Sequence, residues 1–165
     1  MTSDKIKSLS DASMQVKAWQ KTGQKVVFTN GCFDLLHLGH VDYLEKARNS
    51  GDKLVVGLNT DSSVSRFKGS ERPLQDQHSR ARIIASLQFV DLVVFFDEDT
   101  PLDLISQLLP NVLVKGSDYS TEASDHSAEY IVGSDIVKKN GGVVKTIDFV
   151  PGYSTTRLVE KIKKT

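Results

Sequence analysis

Short runs of β-branched and aromatic residues recur along this chain with helical patterns between them, and that alternation limits the folds open to it. The runs fall at 25–29, 53–59, 92–96, 112–115 and 143–149. Two of them, Leu54-Val55-Val56 and Val93-Val94-Phe95-Phe96, are wholly apolar, as strands covered on both faces must be. Helical patterns lie near 38–50, 79–89, 101–108, 129–140 and 155–163, with a leading helix near 10–21 that ends before Gly23. Val41, Leu44 and Ala47 share one face of the helix at 38–50, with Tyr43 alongside, and Ser50-Gly51-Asp52 marks its stop. Such alternation predicts parallel strands joined by right-handed crossovers. The expected fold is α/β, a Rossmann-like doubly wound parallel sheet of about five strands with helices on both faces. Residues 25–165 are expected to form that domain, with 1–24 a helical extension packed on its outside.

Composition narrows the partners. The chain has 165 residues, 39% hydrophobic and 25% charged, which fits one soluble globular domain. Its 21 Lys and Arg balance 21 Asp and Glu, so no overall field draws it to nucleic acid or to a membrane surface. The single cysteine, Cys32, excludes an internal disulfide and suits a reducing compartment. No apolar run approaches the roughly 20 residues that span a bilayer. Met1-Thr2-Ser3-Asp4-Lys5 leads into polar helical sequence rather than a signal peptide. A cytoplasmic location is therefore expected, without nucleic-acid or membrane partners.

Doubly wound sheets bind ligands at the carboxyl ends of their strands, where the strand order reverses. The segments to inspect are 29–40, 59–73, 115–119 and 150–156. Neither a G-x-x-x-x-G-K-[ST] loop nor a G-x-G-x-x-G turn is present, which argues against P-loop NTPases and ordinary dinucleotide dehydrogenases. The first strand leads instead into Asn30-Gly31-Cys32-Phe33-Asp34 and then His37-Leu38-Gly39-His40. Gly31 permits close approach of a ligand to the backbone. If a helix starts near the histidines, His37 and His40 share a face at its N-terminus, where free N–H groups attract anions. Gly39 would leave space for a phosphate against the backbone. Two imidazoles there can donate to a phosphate under attack and to a departing pyrophosphate. The same spacing also suits a purely structural role, in which one histidine caps the helix and the other is a satisfied, partly buried residue. A zinc site is a third reading, for which Cys32 and Asp34 are poorly placed.

Lys68, Arg72 and Arg80 form a basic cluster that suits a sugar phosphate or a triphosphate, or else a solvated face. Lys68, followed by Gly69, is expected on a loop. Asp34 is either a helix cap or a contact to magnesium or substrate. Asn59 and Asp61 either bind sugar hydroxyls or simply turn the chain. Gly152-Tyr153-Ser154 precedes an apolar set at Leu158, Val159 and Ile162 and so marks a helix start, with Ser154 or Thr155 as N-cap. Tyr153 packs near a base or in the core, and Cys32 is expected to be buried and inert. The polar stretch 120–127 is expected to be a flexible loop.

The segment 29–40 resembles the T-x-G-x-F-D-x-x-H-x-G-H motif of the cytidylyltransferase-like nucleotidyltransferase superfamily. Further blocks narrow the resemblance: 54–61, Lys68-Gly69-Ser70-Glu71-Arg72-Pro73, Glu98-Asp99-Thr100-Pro101, 112–119 and Gly152-Tyr153-Ser154-Thr155-Thr156. Together they are similar to the adenylyltransferases of ADP-heptose synthesis, which many bacteria fuse to a sugar kinase. The resemblance implies transfer of AMP from ATP, with Mg2+, to D-glycero-β-D-manno-heptose 1-phosphate, releasing pyrophosphate. It implies that His37, His40 and Lys68 act on the phosphates while Asn30, Gly31, Cys32, Phe33 and Gly39 line the nucleotide pocket. Arg80, Lys115, Gly116, Asp118 and Tyr153 would belong to the nucleotide site, and Ser154, Thr155 and Thr156 would serve the β- and γ-phosphates. Asp34, Asn59, Asp61 and Arg72 would face the sugar. A homodimer is implied by analogy, and a separate sugar kinase would supply the pathway, since no kinase domain is present. Three departures stand out: Ser117 replaces a usual glycine, 120–130 is longer than usual, and Phe149 replaces the arginine of glycerol-phosphate cytidylyltransferases. Two alternatives stay open. One is a cytidylyltransferase using CTP and a polyol or amino-alcohol phosphate; the other is a non-catalytic nucleotide-binding subunit.

Overall fold

The computed structural model describes residues 1–123, 125 and 127–164. Of the expected loop at 120–127, Ser124 and His126 lie outside the described residues. Six parallel strands run in the order β1-β4-β3-β2-β5-β6. They are β1 (Ile6–Lys7), β2 (Val26–Gly31), β3 (Lys53–Asn59), β4 (Leu92–Phe96), β5 (Val112–Gly116) and β6 (Val143–Ile147). Between and around them lie α1 (Thr2–Lys5), α2 (Leu9–Lys21), α3 (Leu38–Arg48), α4 (Asp61–Lys68) and α5 (Gln77–Ser86). The chain continues through α6 (Leu102–Leu108) and α7 (Ser134–Lys139) and ends in α8 (Thr155–Lys163).

Two apolar clusters sandwich the sheet, which is what a doubly wound fold requires. On one face Ala12 and Val16 of α2 pack with Leu104, Ile105 and Leu108 of α6 and Val137 of α7. On the other, Tyr43, Leu44 and Ala47 of α3 pack with Ala81, Ile84 and Ala85 of α5. Of the stripe expected at Val41, Leu44 and Ala47, the last two are buried and Tyr43 joins them, while Val41 is only half-buried. The leading segment, expected on the outside, is instead woven in. Ile6 pairs with Val93 as a sixth strand, and Ala12 and Val16 are fully buried.

A second difference concerns 59–73, where no helix is expected and Lys68 is expected on a loop. Asp61–Lys68 is a helix, capped by the Thr60 hydroxyl, which accepts from Ser63 N–H. It stops at Gly69, whose φ of 96° lies in the region that favours glycine. Lys68 thus ends a helix rather than riding a loop. The helix expected from 129 begins only at Ser134, after Gly133 at φ 84°.

Strand β2 sits mid-sheet. The chain runs from it to β3 and β4 on one side, and to β5 and β6 on the other. The carboxyl end of β2 is consequently the reversal point, and a cleft of about 730 Å³ opens there.

Candidate active site

Two lobes meet at the end of β2. The end of β5 and the segments after β5 and β6 bring Lys115, Gly116, Asp118, Phe149 and Thr155 to one lobe. Segments after β3 and β4 bring Phe67, Lys68, Asp99, Thr100 and Pro101 to the other. Asn30 to Asp34 and His40 lie between them.

The histidines stack face to face, with ring centroids 3.8 Å apart and planes 21° from parallel. His37 occupies the N-cap position of α3, yet its side chain makes no capping hydrogen bond. The Nδ1 atoms of both are buried, and neither has a hydrogen-bond partner among the described residues. His37 therefore does not cap α3 through its side chain, while His40 also has a backbone hydrogen bond to Leu35. Burial pulls both imidazoles below their ordinary value; for His40 the neighbouring His37 adds to this and takes it down to about 4. Both are neutral at pH 7, and neutral rings so close avoid the repulsion of two cations. Among the described residues no group of three His, Cys, Asp or Glu could hold a metal ion.

The glycines around the pair are occupied by neighbours. A Cβ at Gly39 would sit 3.1 Å from the His37 ring and 3.2 Å from Tyr153 Cβ. A Cβ at Gly31 would lie 3.0 Å from the Phe33 ring. Phe33 itself adopts φ 47° and sets its ring edge-on to His40, with centroids 5.2 Å apart. Such backbone strain is stored where surrounding structure holds it. These glycines seat the Phe33 and His37 rings, and Gly31 also lines the cleft.

Several charged candidates hold one another. Asp34, 2% exposed, accepts from Leu74 N–H at 2.8 Å, Gln75 N–H at 3.0 Å and Arg72 Nη1 at 2.9 Å. Burial alone would raise its carboxyl; those donors and the Arg72 charge pull it below its ordinary value. It is therefore not the cap of α3, whose N-cap position is His37, although it does line the cleft. Arg72, expected on the sugar, is the partner of Asp34. Arg80 is completely buried and donates to Gln75 O, Cys32 O and Asp61 Oδ1. Its guanidinium props the segment after β2 through Cys32 O and is not among the side chains that line the cleft. Asp61 is spent on Arg80, and Asn59 binds Ser63 Oγ through Nδ2 while its Oδ1 accepts from the Cys32 thiol. Burial raises that thiol, in keeping with an inert cysteine.

Lys115 donates to Asn30 Oδ1 at 2.5 Å and lies 5.4 Å from the Tyr119 ring centroid. Burial lowers its ammonium to about 8, with Asp118 opposing the shift. Gly116 is small because Phe149 lies across it: a Cβ there would collide with the Phe149 ring and come within 2.6 Å of Asp118 Oδ1. Phe149 in turn stacks on Tyr43 at 5.8 Å. Ser154 caps α8 by accepting from Arg157 N–H, and Thr155 lines the cleft. Tyr153 is 48% exposed and so is not a core residue. Thr156 is exposed, outside the cleft lining. Sequence reasoning missed Tyr43, Phe67 and Thr100 as cleft residues; their spacing carried only helix and loop signals.

Comparison with known proteins accounts for this arrangement. The family model described as "Cytidylyltransferase-like" matches residues 28–161. A "Bifunctional protein HldE" from Geotalea uraniireducens is 55% identical over 159 residues, covering 96% of this chain and 31% of that protein. One of the same description from Magnetococcus marinus is 54% identical over 160 residues, covering 97% of this chain and 31% of its own length. The chain thus spans 31% of the length of these curated relatives. Among solved structures, a lipopolysaccharide core biosynthesis protein from Thermoplasma volcanium superposes with TM-score 0.58 at 29% identity, covering 78% of this chain and 98% of that one. A pantoate-beta-alanine ligase from Francisella tularensis shares the fold alone, with TM-score 0.60 at 14% identity over 97% of this chain and 78% of its own. With the family model matching most of the sequence, this chain belongs to the cytidylyltransferase-like family of nucleotidyltransferases.

Proposed function

We propose that this chain transfers AMP from ATP to a heptose 1-phosphate, forming ADP-heptose and pyrophosphate. The observation that carries the chemistry is the stacked His37–His40 pair, whose Nδ1 atoms are buried without partners at the N-terminus of α3. A buried polar group left unpaired calls for an explanation, and at the cleft, which His40 lines, a phosphate ligand supplies one. The relatives named HldE, and the lipopolysaccharide core biosynthesis protein among the solved structures, support the sugar.

In this scheme an acceptor phosphate oxygen attacks Pα of ATP, the bond from Pα to the bridging oxygen breaks, and pyrophosphate leaves. No enzyme-bound intermediate forms. His37 and His40, neutral at pH 7, donate N–H groups to phosphate oxygens as charge builds there. Lys68 and Lys115 bring cations to the two sides of the cleft, and the turn at Ser154 and Thr155 offers further donors to the distal phosphates. Asp34 is taken by Arg72, Leu74 and Gln75, so magnesium fits this site through the ATP phosphates rather than through a carboxylate cluster of the protein. There it would neutralise phosphate charge. A sugar kinase would be the functional partner that supplies the phosphorylated heptose.

Pyrophosphate release from ATP or CTP against a panel of sugar and polyol phosphates tests the proposal. ATP with a heptose 1-phosphate should be the best pair. His37→Ala and His40→Ala should each lower kcat by about 10²- to 10³-fold with folding intact. Full turnover in both variants would remove the mechanism, and a preference for CTP with a polyol phosphate would replace the substrates.

A further inference from the structure

The acceptor needs a place, and the residues expected to provide it already hold protein partners, although Asp34 and Asn59 still line the cleft. Arg72 pairs with Asp34, Asp61 with Arg80, and Asn59 with Ser63 and Cys32. The cleft lobe beyond β3 and β4 is built from other side chains. Phe67, on the last turn of α4, lines the cleft with 56% of its surface exposed. Lys68 holds its ammonium 5.8 Å from the Phe67 ring centroid. Across from α4, the segment after β4 contributes Asp99 and Thr100, above a buried wall that includes Phe96. One Asp99 oxygen accepts from Arg66 Nε at 3.1 Å, an exposed pair that leaves the carboxylate open to the rim. The Thr100 hydroxyl has no hydrogen-bond partner among the described residues.

The chemistry of this lobe is selective. An exposed aromatic face inside a cleft covers the C–H side of a ring rather than a chain of charges. A hydroxyl and a carboxylate at the rim pair with hydroxyl groups, and the Lys68 ammonium, which also reaches the Cys32 thiol near His40, pairs with a phosphate. Resting on the proposed adenylyl transfer, we infer that Phe67, Lys68, Asp99 and Thr100 form the acceptor subsite. Its ligand is a pyranose phosphate whose ring lies on Phe67, with the anomeric phosphate at Lys68 and ring or side-chain hydroxyls at Asp99 and Thr100. The Glu98-Asp99-Thr100-Pro101 block thereby gains a purpose that the nucleotide site does not give it. The subsite also separates classes of acceptor. A short polyol phosphate can reach Lys68 but has no ring to cover Phe67.

The test splits the two substrates. Phe67→Ala and Thr100→Val remove exposed groups and leave the core intact, so both should fold like the parent protein. KM for a heptose or hexose 1-phosphate should rise about tenfold in Phe67→Ala, the cost of losing one large apolar contact, and severalfold in Thr100→Val. KM for ATP should stay within twofold in both, and glycerol 3-phosphate, where used at all, should be insensitive to Phe67→Ala. A rise in KM for ATP instead, or an unchanged KM for the sugar phosphate, overturns the assignment. If the parent protein releases no pyrophosphate with any acceptor, the proposed reaction fails but the subsite does not yet. Calorimetric titration with mannose 1-phosphate then decides: binding that is weakened in Phe67→Ala sustains the subsite, and no binding, or equal binding by both proteins, removes it.

Discussion

A single imidazole sets a measurable property of the protein. His40 has an ordinary value of 6.5 and is held at about 4 in the folded chain, first by burial and then by His37. In the unfolded chain it protonates near 6.5, so between about 6.5 and 4 the unfolded state binds more protons. Stability without ligand should therefore fall as pH drops through that window, and His40→Gln should flatten the slope. Urea unfolding at a series of pH values measures it; a parent and variant with the same slope would show that His40 is not depressed. A bound polyphosphate acts in the opposite sense, because negative charge favours the imidazolium. None of this was legible in the spacing of His37 and His40. The motif located the pair, while the stacking of the two rings and the edge-on contact of Phe33 with His40 rest on three-dimensional packing, and no pattern announces the left-handed backbone of Phe33.

Among elements, the segment joining α4 to α5 behaves as a strap across the end of β2. Asp34 grips it through Leu74, Gln75 and Arg72, and Arg80 grips it through Gln75 O while also holding Cys32 O. Asp34→Asn keeps the size and removes the charge that three donors share. It should lower stability by about 2 kcal/mol. Unfolding in urea checks this, and hydrogen exchange should quicken at Leu74 and Gln75, the amides that Asp34 receives. Strand positions and the start of α8 at Thr155 were readable, because apolar runs and a serine cap are local signals. Helix α4 was not, since Asp61-Ser62-Ser63 resembles a turn and only Ser63 and Val64 of that helix are buried. The roles of Arg72 and Arg80 were beyond reach for another reason. Arg72 meets Asp34 across 38 positions and Arg80 meets Cys32 across 48, and composition carries no record of such pairings.

At the scale of the whole molecule, doubly wound topology was legible from alternation, and its sixth strand was not. Two residues, Ile6 and Lys7, are too few to show a period. That small strand has a kinetic consequence. All six strands are parallel, so no pair can form as a hairpin and each pairing must await a crossover. Strand β2 can meet β3 as soon as residue 59 is available. Strand β1 has a single neighbour, β4, and its register joins Ile6 to Val93. The earliest of the six strands to be synthesised is thus among the last able to dock, and it waits unpaired while most of the sheet assembles. Pulse-labelled hydrogen exchange during refolding should find the β1 amides protected after those of β2 and β3. Simultaneous protection would mean that the edge is held before its neighbour exists in native form.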